Sequence, residues 1–265
     1  MTSANSVQSA ADLLWQHWRA GTVLEALPST VRPASRTDGY AIQSHLVIKG
    51  RGLVGWKIAA TSTTGQAHIG VDGPLAGRLL AERTFRTGAS LALANNRMRV
   101  AEPEFAFRVG QSLAPRAKDY VVGDVLDAMD AALPALEVPD SRFADFATVG
   151  AAQLIADNAC AHEFVLGEAV FADWRQLDFA AHRVHAEVRG KAARAVERDG
   201  VGANVLGDPR VALTWLVNEL SRIGVTLNAG AIVTTGTCMQ PLAIEPGDQV
   251  AVDFGVLGTI SASFT

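Results

Sequence analysis

Apolar residues in the first fifty positions recur at the spacing of an amphipathic helix. Over residues 6–20 they fall on one side of a helix, with polar residues on the other. A second helix is predicted to begin at Ser35, whose hydroxyl is typical of a helix N-cap, and to end at Gly50 and Gly52. The pattern therefore predicts that residues 1–52 form a helical N-terminal portion of the chain.

From Leu53 onward the pattern changes to short β-type runs separated by Gly, Pro and Asp. Residues 244–264 contain a turn, a strand, a glycine-rich turn and a second strand, which predicts a hairpin. Helices interrupt the strands without regular alternation, which argues against a doubly wound sheet. Residues 53–265 are predicted to form one mixed-β domain. The predicted strands are 53–59, 97–109, 131–138, 163–170, 180–189, 231–235, 249–254 and 258–264, and the predicted helices are 119–128, 148–159 and 209–223.

Composition and charge restrict the partners of the protein. The 265 residues are enough to bury a substantial core, and the net charge of −4 comes without any run of Lys or Arg. This argues against nucleic acid or an anionic membrane as the main partner. The N-terminus has no signal-peptide pattern, and no apolar stretch approaches the roughly 18–20 residues of a membrane-spanning helix. We therefore expect a cytoplasmic protein.

Several common catalytic patterns are missing from the sequence. It contains no G-x-S-x-G, Walker A or H-E-x-x-H pattern. Cys160 and Cys238 are far apart and match no zinc-binding spacing, so we interpret them as small buried thiols. The histidines are scattered and are interpreted as surface or core residues, with His68 the least certain of them. The chemistry must therefore come from other side chains.

The run "RVAEPEFAFRV" (99–109) places Glu102 and Glu104 two residues apart in a predicted strand. Residues i and i+2 of a strand point to the same face, so the two carboxylates project together. One interpretation is an exposed strand face with both acids in water. The other is a pair of ligands for a divalent cation, which would offset both their mutual repulsion and the cost of burying them. The spacing alone leaves both interpretations open.

A third acid and a lysine occur in similarly apolar surroundings. Glu137 ends the apolar run 131–138, where an unpaired carboxylate would be costly. Three carboxylates without a nearby His or Cys suit a hard cation such as Mg²⁺ or Mn²⁺. Lys57, one of only four lysines, lies within "GLVGWKIAATS" and could supply the positive charge that such a cluster needs. Asp140 and Arg142 follow Glu137 closely, either as a turn or as residues that support the site.

Taken together, these segments resemble the 2-keto-4-pentenoate hydratase family. That family also contains the 4-oxalocrotonate decarboxylases and lies within the fumarylacetoacetate hydrolase superfamily. The matching segments run in family order from about residue 35 to the C-terminus. They are "GWKIAATS", "GVDGPLAGRL", "RVAEPEFAFRV", "ALEVPDSRF", "IADNACAHEFVLG" and "AGAIVTTGTCMQPLAIEPGDQVAVDFGVLGTISASF".

The resemblance implies roles for individual residues. Glu102, Glu104 and Glu137 match the family's metal ligands, Lys57 matches its lysine near the site, and Asp72 matches its aspartate in the G-V-D segment. The implied fold is α+β, with a mixed, barrel-like β-sheet core and a helical N-terminal portion. The family also implies a small 2-oxo or 2-hydroxy-dienoate substrate, assembly into a homo-oligomer and a possible partner enzyme of the same pathway.

The activity implied by the resemblance is a metal-dependent hydratase. It would add water to a short 2-hydroxy-2,4-dienoate and give a 4-hydroxy-2-oxo acid, with Lys57 in proton transfer and Asp72 positioning water or acting as a base. The alternatives are a 4-oxalocrotonate-type decarboxylase, an acylpyruvate C–C hydrolase with His68 as its nearest base, and a non-catalytic binding protein. Cys160 and Ala161 stand where many members have serine, which leaves the substrate open.

Overall fold

The computed structural model describes residues 4–191 and 195–265 of the chain. Within these residues the structure contains helices and two β-sheets. The helices are α1 (Ala4–Ala20), α2 (Arg36–Lys49), α3 (Thr63–His68), α4 (Val122–Asp127), α5 (Ala151–Ala156) and α6 (Pro209–Arg222). The strands are β1 (Leu53–Ala59), β2 (Leu75–Leu80), β3 (Thr84–Arg86), β4 (Ala89–Leu91), β5 (Val100–Val109), β6 (Met129–Val138), β7 (Glu163–Leu166), β8 (Arg183–Arg189), β9 (Ala195–Val201), β10 (Ile232–Thr237), β11 (Leu242–Ala243), β12 (Gln249–Asp253) and β13 (Thr259–Phe264).

Both sheets are mixed, in agreement with the predicted mixed β-sheet core. The larger sheet has the order β2-β1-β10-β5-β6-β7-β3, with β11 paired to β5, and the smaller has the order β4-β13-β12-β8-β9. In the larger sheet β1 and β10 run parallel while β10, β5 and β6 are antiparallel to one another in turn. Such an arrangement does not arise from repeated βαβ units. The two long central strands β5 and β6 carry the predicted metal ligands.

Helices α2 and α6 each begin directly after a capping residue. Ser35 forms a capping box with Asp38, since each side chain accepts a hydrogen bond from the other residue's backbone N–H. Helix α6 begins with Pro209 after Asp208, whose carboxylate accepts from the backbone of Arg210. These local signals explain why the helix starts could be predicted from sequence.

Each predicted strand coincides with an observed strand; the bounds agree for 53–59 and differ at one or both ends for the others. The strand predicted over 97–109 begins at Val100, because Arg99 has a positive φ of 48° that interrupts the extended backbone. The strand predicted over 163–170 ends at Leu166. The structure adds strands that the sequence pattern did not predict, among them β2, which contains Gly77 and Arg78 in its middle. It also adds the edge strand β9, whose alternate residues are exposed.

The helical N-terminal portion shares a core with the rest of the chain. Leu14 of α1 and Ile42 of α2 are in one buried cluster with Phe143 and with Ala156 of α5. The larger hydrophobic core lies elsewhere and includes Phe105, which packs edge-to-face on neighbouring aromatic rings. The predicted boundary after residue 52 stays a prediction.

No helix in the described ranges is both long and apolar enough to span a bilayer.

Candidate metal centre and active site

The three predicted ligands come from the two central strands of the larger sheet. Glu102 and Glu104 lie two residues apart on β5, and Glu137 on β6 is the direct antiparallel partner of Glu102. Alternation along β5 turns Phe105 and Phe107 to the opposite face, where both are buried in the hydrophobic core. The sequence pattern thus separates an acidic face from an aromatic face of one strand. We call the acidic side the glutamate face.

Lys57 reaches the same face from a more distant strand. Its partner across the parallel β1–β10 pair is Thr234, which in turn lies opposite Ala106 of β5. Since Ala106 and Glu104 are two residues apart, all these side chains project to the glutamate face. The β10 strand therefore brings a lysine from residue 57 next to acids from residues 102 to 137.

The carboxylates form a tight cluster. One oxygen from each of Glu102, Glu104 and Glu137 lies within 4.8 Å of the others. Glu104 and Glu137 are fully buried, while Glu102 is partly exposed. Glu104 Oε1 and Glu137 Oε2 accept no hydrogen bond from any residue that the structure describes. Buried carboxylate oxygens without donors are costly, so the protein alone leaves this cluster incomplete.

The surroundings shift the pKa of every acid in the cluster upward. Burial, reinforced by the charge of Glu137, raises the pKa of Glu102 to about 7. Burial also raises the pKa of Glu104 to about 7, although the nearby Lys57 ammonium opposes that shift. The pKa of Glu137 is raised well above its ordinary value, again mainly by burial. Without a further cation, one ammonium does not fully offset three buried carboxylates.

Lys57 is held in an ion pair and a hydrogen bond. Its Nζ lies 3.0 Å from Glu137 Oε1 and donates to the backbone oxygen of Ala159 at 3.0 Å. Burial lowers the pKa of this ammonium, but the carboxylates of Glu137, Glu104 and Glu102 outweigh burial, and the pKa lies above its usual value. Lys57 is therefore a protonated donor at neutral pH in the metal-free protein.

The segment Asn158–Cys160 provides the backbone oxygen that Lys57 contacts. All three residues have positive φ, at 60°, 51° and 60°, which non-glycine residues adopt at a cost. Asn158 fixes the segment to β2, because its side chain accepts from the backbone N–H of Arg78 at 2.7 Å and donates to the Arg78 carbonyl at 2.9 Å. A Cβ on Gly77 would lie 2.4 Å from the Asn158 carbonyl oxygen and 2.9 Å from Lys57 Cδ. Only glycine leaves room there for both.

Arg142 supports this segment from behind. Its guanidinium forms a buried ion pair with Asp157, and it donates to the carbonyl of Ala161 at 3.2 Å. It also lies 4.2 Å from the ring centre of Trp18 in α1. Ser141 adds a hydrogen bond of 2.7 Å from its hydroxyl to Asp157. Arg142 was predicted to be either part of a turn or a residue that supports the site, and the structure favours support. Its contacts link the N-terminal helix α1 to the segment beside Lys57.

A bulge in β10 completes the support of Glu104. The register between β10 and β5 shifts between Thr234 and Thr237, and Gly236 within that shift has a φ of 94°. Its backbone N–H donates to Glu104 Oε2 at 2.9 Å. A Cβ at Gly236 would lie 2.1 Å from Thr61 Oγ1. The bulge therefore requires glycine both for its positive φ and for this close approach.

A cavity of about 770 Å³ opens next to the cluster, with Lys57 and Glu102 in its wall. Its roof includes α3, and its sides come from β1, the start of β5 and the turn after β10. Cys160 also lines it, and burial raises the pKa of this thiol to about 12, so it stays protonated. Both cysteines are free and buried, as predicted.

The structure places Asp72 and His68 differently. His68 lines the cavity, with its ring 5.9 Å from that of Phe146. The side chain of Asp72 is 91 % exposed and contacts Arg36 at 3.3 Å, and it is not among the residues that line the cavity. Four of the five predicted site residues are thus brought together. The catalytic role of Asp72 stays a prediction, and its side chain does not line the cavity.

Apart from Arg142, the supporting residues were the part that sequence reasoning missed. Gly77 and Gly236 act through the absence of a side chain, and no periodicity indicates that. Asp157 lies in the quoted segment "IADNACAHEFVLG", but its ion pair with Arg142 becomes visible only in the fold. Neutral polar side chains of the cavity wall were also missed, namely Thr61, Asn204 and Thr237.

The donor set fits a divalent metal ion. Three carboxylates from adjacent strands each place one oxygen within 4.8 Å of the others, and Glu104 and Glu137 have oxygens without a donor. The partly exposed Glu102 opens the cluster to the cavity. Oxygen-only ligand sets of this kind suit hard cations. A cation bound there would satisfy the orphaned oxygens and offset the excess negative charge.

Comparison with known proteins agrees with this geometry. Residues 83–265 match the family model described as "Fumarylacetoacetate (FAA) hydrolase C-terminal". The chain is 31% identical to a 2-keto-4-pentenoate hydratase of Paraburkholderia xenovorans (strain LB400), over 97% of this chain and 94% of the relative. It is 28% identical to a 2-hydroxyhexa-2,4-dienoate hydratase of Comamonas testosteroni over 100% of both chains.

A solved structure shares the whole fold. The 4-oxalocrotonate decarboxylase from Pseudomonas putida G7, complexed with magnesium and adipate, superposes with a TM-score of 0.87 at 25% identity. The match covers 100% of this chain and 99% of that one. With its carboxylate cluster, its sheet order and these matches, the chain belongs to the fumarylacetoacetate hydrolase family, in the group of 2-keto-4-pentenoate hydratases and 4-oxalocrotonate decarboxylases.

Proposed function

We propose that this protein is a divalent-metal-dependent hydratase of a 2-hydroxy-2,4-dienoate. One observation carries the proposal: three clustered carboxylates and a buried lysine form one wall of an open cavity. The hydratases among its relatives, which align over nearly the full chain, support the choice of reaction.

The reaction has two balanced parts. In the first, the 2-hydroxyl of the dienoate loses its proton and the terminal carbon of the diene gains one, which gives a conjugated 2-oxo-3-enoate. In the second, water adds across the remaining double bond, with its hydroxyl on C4 and its hydrogen on C3. The product is a 4-hydroxy-2-oxo acid, and no oxidant or reductant is needed.

Glu102, Glu104 and Glu137 would hold the metal, for which we propose Mg²⁺ or Mn²⁺. When bound, the cation supplies Lewis-acid stabilisation of the negative charge that develops on the 2-oxygen of the substrate. The buried position of Glu104 and Glu137 fixes their carboxylates, because neither side chain can turn to solvent.

Lys57 is our candidate for the proton transfer. Its ammonium has three N–H donors, and the structure gives it two contacts, to Glu137 and to the Ala159 carbonyl. The remaining donor can serve the substrate, because Lys57 lines the cavity. It can deliver a proton to the terminal carbon or hold the enolate oxygen by a hydrogen bond.

Neutral polar groups, rather than a carboxylate, lie where the attacking water could be held. Thr61, Asn204 and Thr237 line the same cavity, and each offers a hydroxyl or amide to a water molecule. Asp72, proposed from the resemblance as a base or water-positioning residue, points to solvent beside Arg36. We therefore regard the polar wall as the stronger candidate for positioning water.

The ultraviolet absorbance of freshly prepared 2-hydroxypenta-2,4-dienoate tests the proposal directly. We expect loss of the dienol signal with Mg²⁺ or Mn²⁺, no loss after EDTA, and 4-hydroxy-2-oxopentanoate as the product. Glu104→Gln should abolish the loss of signal under the same conditions. Persistence of the dienol with every metal would overturn the hydratase proposal.

A decarboxylase is the second candidate, favoured by the full-length fold match to the Pseudomonas putida enzyme. It would release CO₂ from 4-oxalocrotonate at the same cluster. Release of CO₂ from 4-oxalocrotonate would report the decarboxylase, and loss of the dienol from 2-hydroxypenta-2,4-dienoate would report the hydratase. Assembly into a homo-oligomer, and contact with another enzyme of the same pathway, stay predictions that size measurement and co-purification can check.

A further inference from the structure

The cavity beside the cluster is far larger than the smallest substrate of the proposed reaction. At about 770 Å³ it has room for roughly 25 water molecules, taking about 30 Å³ for each. Cavities of roughly 300–1,000 Å³ are the size that encloses drug-sized ligands. A five-carbon acid anchored at Lys57 and Glu102 would leave most of this volume filled only with water.

The wall of the cavity has a charged part, a set of neutral polar groups that includes Thr61, Asn204 and Thr237, and a larger apolar part. Of the residues in the described ranges that form the wall, only Lys57 and Glu102 have an ordinarily ionised side chain, and both belong to the cluster already described. Most of the remaining wall is apolar and comes from several elements. These apolar residues include Ile69, Met98, Val100, Phe146, Met239 and Pro241.

The apolar part offers no counter-ion to a second acid group. Among the described residues that line the cavity, none besides Lys57 is a lysine or arginine. Arg142, the nearest arginine considered above, is buried in its ion pair with Asp157 and does not line the cavity. His68 lines it but is exposed to solvent. A carboxylate placed against the apolar wall would lose hydration without gaining a partner, which is unfavourable.

We infer that the site selects 2-hydroxy-2,4-dienoates with an apolar alkyl or aryl group at the end remote from the acid. It discriminates against substrates with a second carboxylate at that end. This inference rests on the proposed function for the identity of the anchored end. It goes beyond that function because it assigns the far part of the cavity to a class of substituent.

A series of substrates tests the selectivity under turnover. The dienoates would carry hydrogen, methyl, pentyl, phenyl or carboxylate at the terminal carbon, and kcat/KM would be measured with Mg²⁺. Each buried methylene contributes roughly a fourfold gain, so burial of only two of the four extra methylenes should already raise the pentyl compound about tenfold or more above the methyl compound. The carboxylate compound should fall at least about tenfold below the pentyl compound. A series in which the unsubstituted or carboxylate compound is best would overturn the inference.

Binding of saturated analogues tests the selectivity independently of whether the protein catalyses the proposed reaction. Calorimetry would compare 2-oxopentanoate, 2-oxooctanoate and 2-oxoheptanedioate, the last two being of nearly equal length, in the presence of Mg²⁺. We expect 2-oxooctanoate to bind at least about tenfold more tightly than either of the others. Equal binding, or preference for the diacid, would overturn the inference even if the parent dienoate is hydrated. Failure to hydrate the parent, with the expected binding order, would overturn only the proposed reaction.

A substitution in the apolar wall provides a matched test. Met98 is partly buried and unbranched, so Met98→Lys places an ammonium in the apolar part with little change in length. It should raise the affinity for 2-oxoheptanedioate relative to 2-oxooctanoate about tenfold or more. Met98→Gln, which is polar but uncharged, should not produce that reversal. If both variants change the ratio equally, the wall does not discriminate by charge.

Discussion

Lys57 Nζ lies 3.0 Å from Glu137 Oε1, and both side chains are almost completely buried. The two residues belong to β1 and β6, which are separated in the sheet by β10 and β5. A buried pair of this kind is costly to break, because the remaining partner keeps an uncompensated charge. Here the cluster contains two further acids, so the pair does not balance it. This imbalance, more than any single contact, is the reason for proposing that the wall binds a cation.

Glu104→Gln should weaken metal binding while leaving the fold intact. The substitution keeps the shape of the side chain and removes one negative charge from the cluster. Changes in outer-shell residues already cost roughly 10–100-fold in metal affinity, so loss of a ligand charge should cost at least about 100-fold. Calorimetric titration with Mn²⁺ measures this, and turnover should fall in parallel.

Glu163→Gln is the matched control for that variant. Glu163 is also a mostly buried acid, but it pairs with Arg83 at 3.1 Å and lies outside the cluster. Its substitution should leave Mn²⁺ affinity within about twofold of the original. If the two variants lose metal equally, or Glu104→Gln binds Mn²⁺ normally, the ligand assignment is wrong.

Lys57→Met should remove catalysis without removing the metal. The methionine fills similar space, and three carboxylates without the ammonium should bind Mn²⁺ at least as tightly. Proton transfer by a positioned side chain is typically worth about 10²–10⁴-fold, so kcat should fall by at least about 100-fold. Steady-state rates and Mn²⁺ titration on the same preparation separate the two effects. The surface lysine Lys49, which pairs with Asp12, gives the control Lys49→Met, expected to retain full turnover.

Gly77→Ala should disturb the position of Lys57 through packing alone. The added Cβ would meet the Asn158 carbonyl oxygen at 2.4 Å and Lys57 Cδ at 2.9 Å, so the segment or the lysine must move. We expect a loss of about 1–3 kcal/mol in the free energy of unfolding, together with a reduced kcat. Gly73→Ala is the control, since no heavy atom lies within 4 Å of its added Cβ. Equal behaviour of the two variants would show that the contact at Gly77 is unimportant.

His162→Phe should make the protein more resistant to mild acid. Burial, together with the charges of Arg142 and Arg83, lowers the pKa of His162 to about 3, so the folded protein keeps this ring neutral. The unfolded chain takes up a proton near pH 6.5, so folded stability falls as the pH drops from about 6.5 toward 3. The loss is about 2 kcal/mol at pH 5. Phenylalanine preserves the stacking on Trp18 and removes the titration.

Urea unfolding at pH 7.5 and pH 5 measures this effect. From pH 7.5 to pH 5, the free energy of unfolding of His162→Phe should rise by about 2 kcal/mol relative to that of the original protein. His185→Gln provides a control of opposite sign, because the hydrogen bond that the His185 ring donates to the Asp199 carboxylate raises the pKa of His185. Its contribution is present below pH 6.5 and lost as the pH rises through the folded pKa, so this variant should lose relative stability at pH 5. A constant difference between His162→Phe and the original protein would contradict the buried neutral ring.

Local signals predicted the elements that have strong local causes. The alternation along β5 separates Glu104 from Phe105, and the capping residues Ser35 and Asp208 mark the starts of their helices. Strand β2 escaped prediction because Gly77 and Arg78 interrupt its apolar run, and only pairing with β1 holds it extended. Edge strand β9 was missed for a related reason, since its many polar residues fit a loop equally well.

The residues of the candidate site likewise fall into those that local patterns predicted and those that only the fold revealed. The types of residue that bind a metal were visible in the sequence, because buried carboxylates need a reason to be buried. The sequence pattern also grouped the three glutamates with Lys57, and resemblance to a family then implied their roles and added Asp72. The structure brings Lys57 and the three glutamates together, but it leaves Asp72 on the surface beside Arg36. A motif match carries no information on which way a loop side chain points.

The sequence by itself determined which side chains could carry the chemistry and on which face of their strands they lie, because alternation along a strand is a local property of the backbone. Tertiary structure alone decided that Lys57 meets Glu137 across two intervening strands, and that Gly77 and Gly236 leave space for the lysine and for the bulge. It also decided that the far wall of the cavity is apolar. Those features depend on strand order and close packing between residues distant in the chain, which no local pattern encodes.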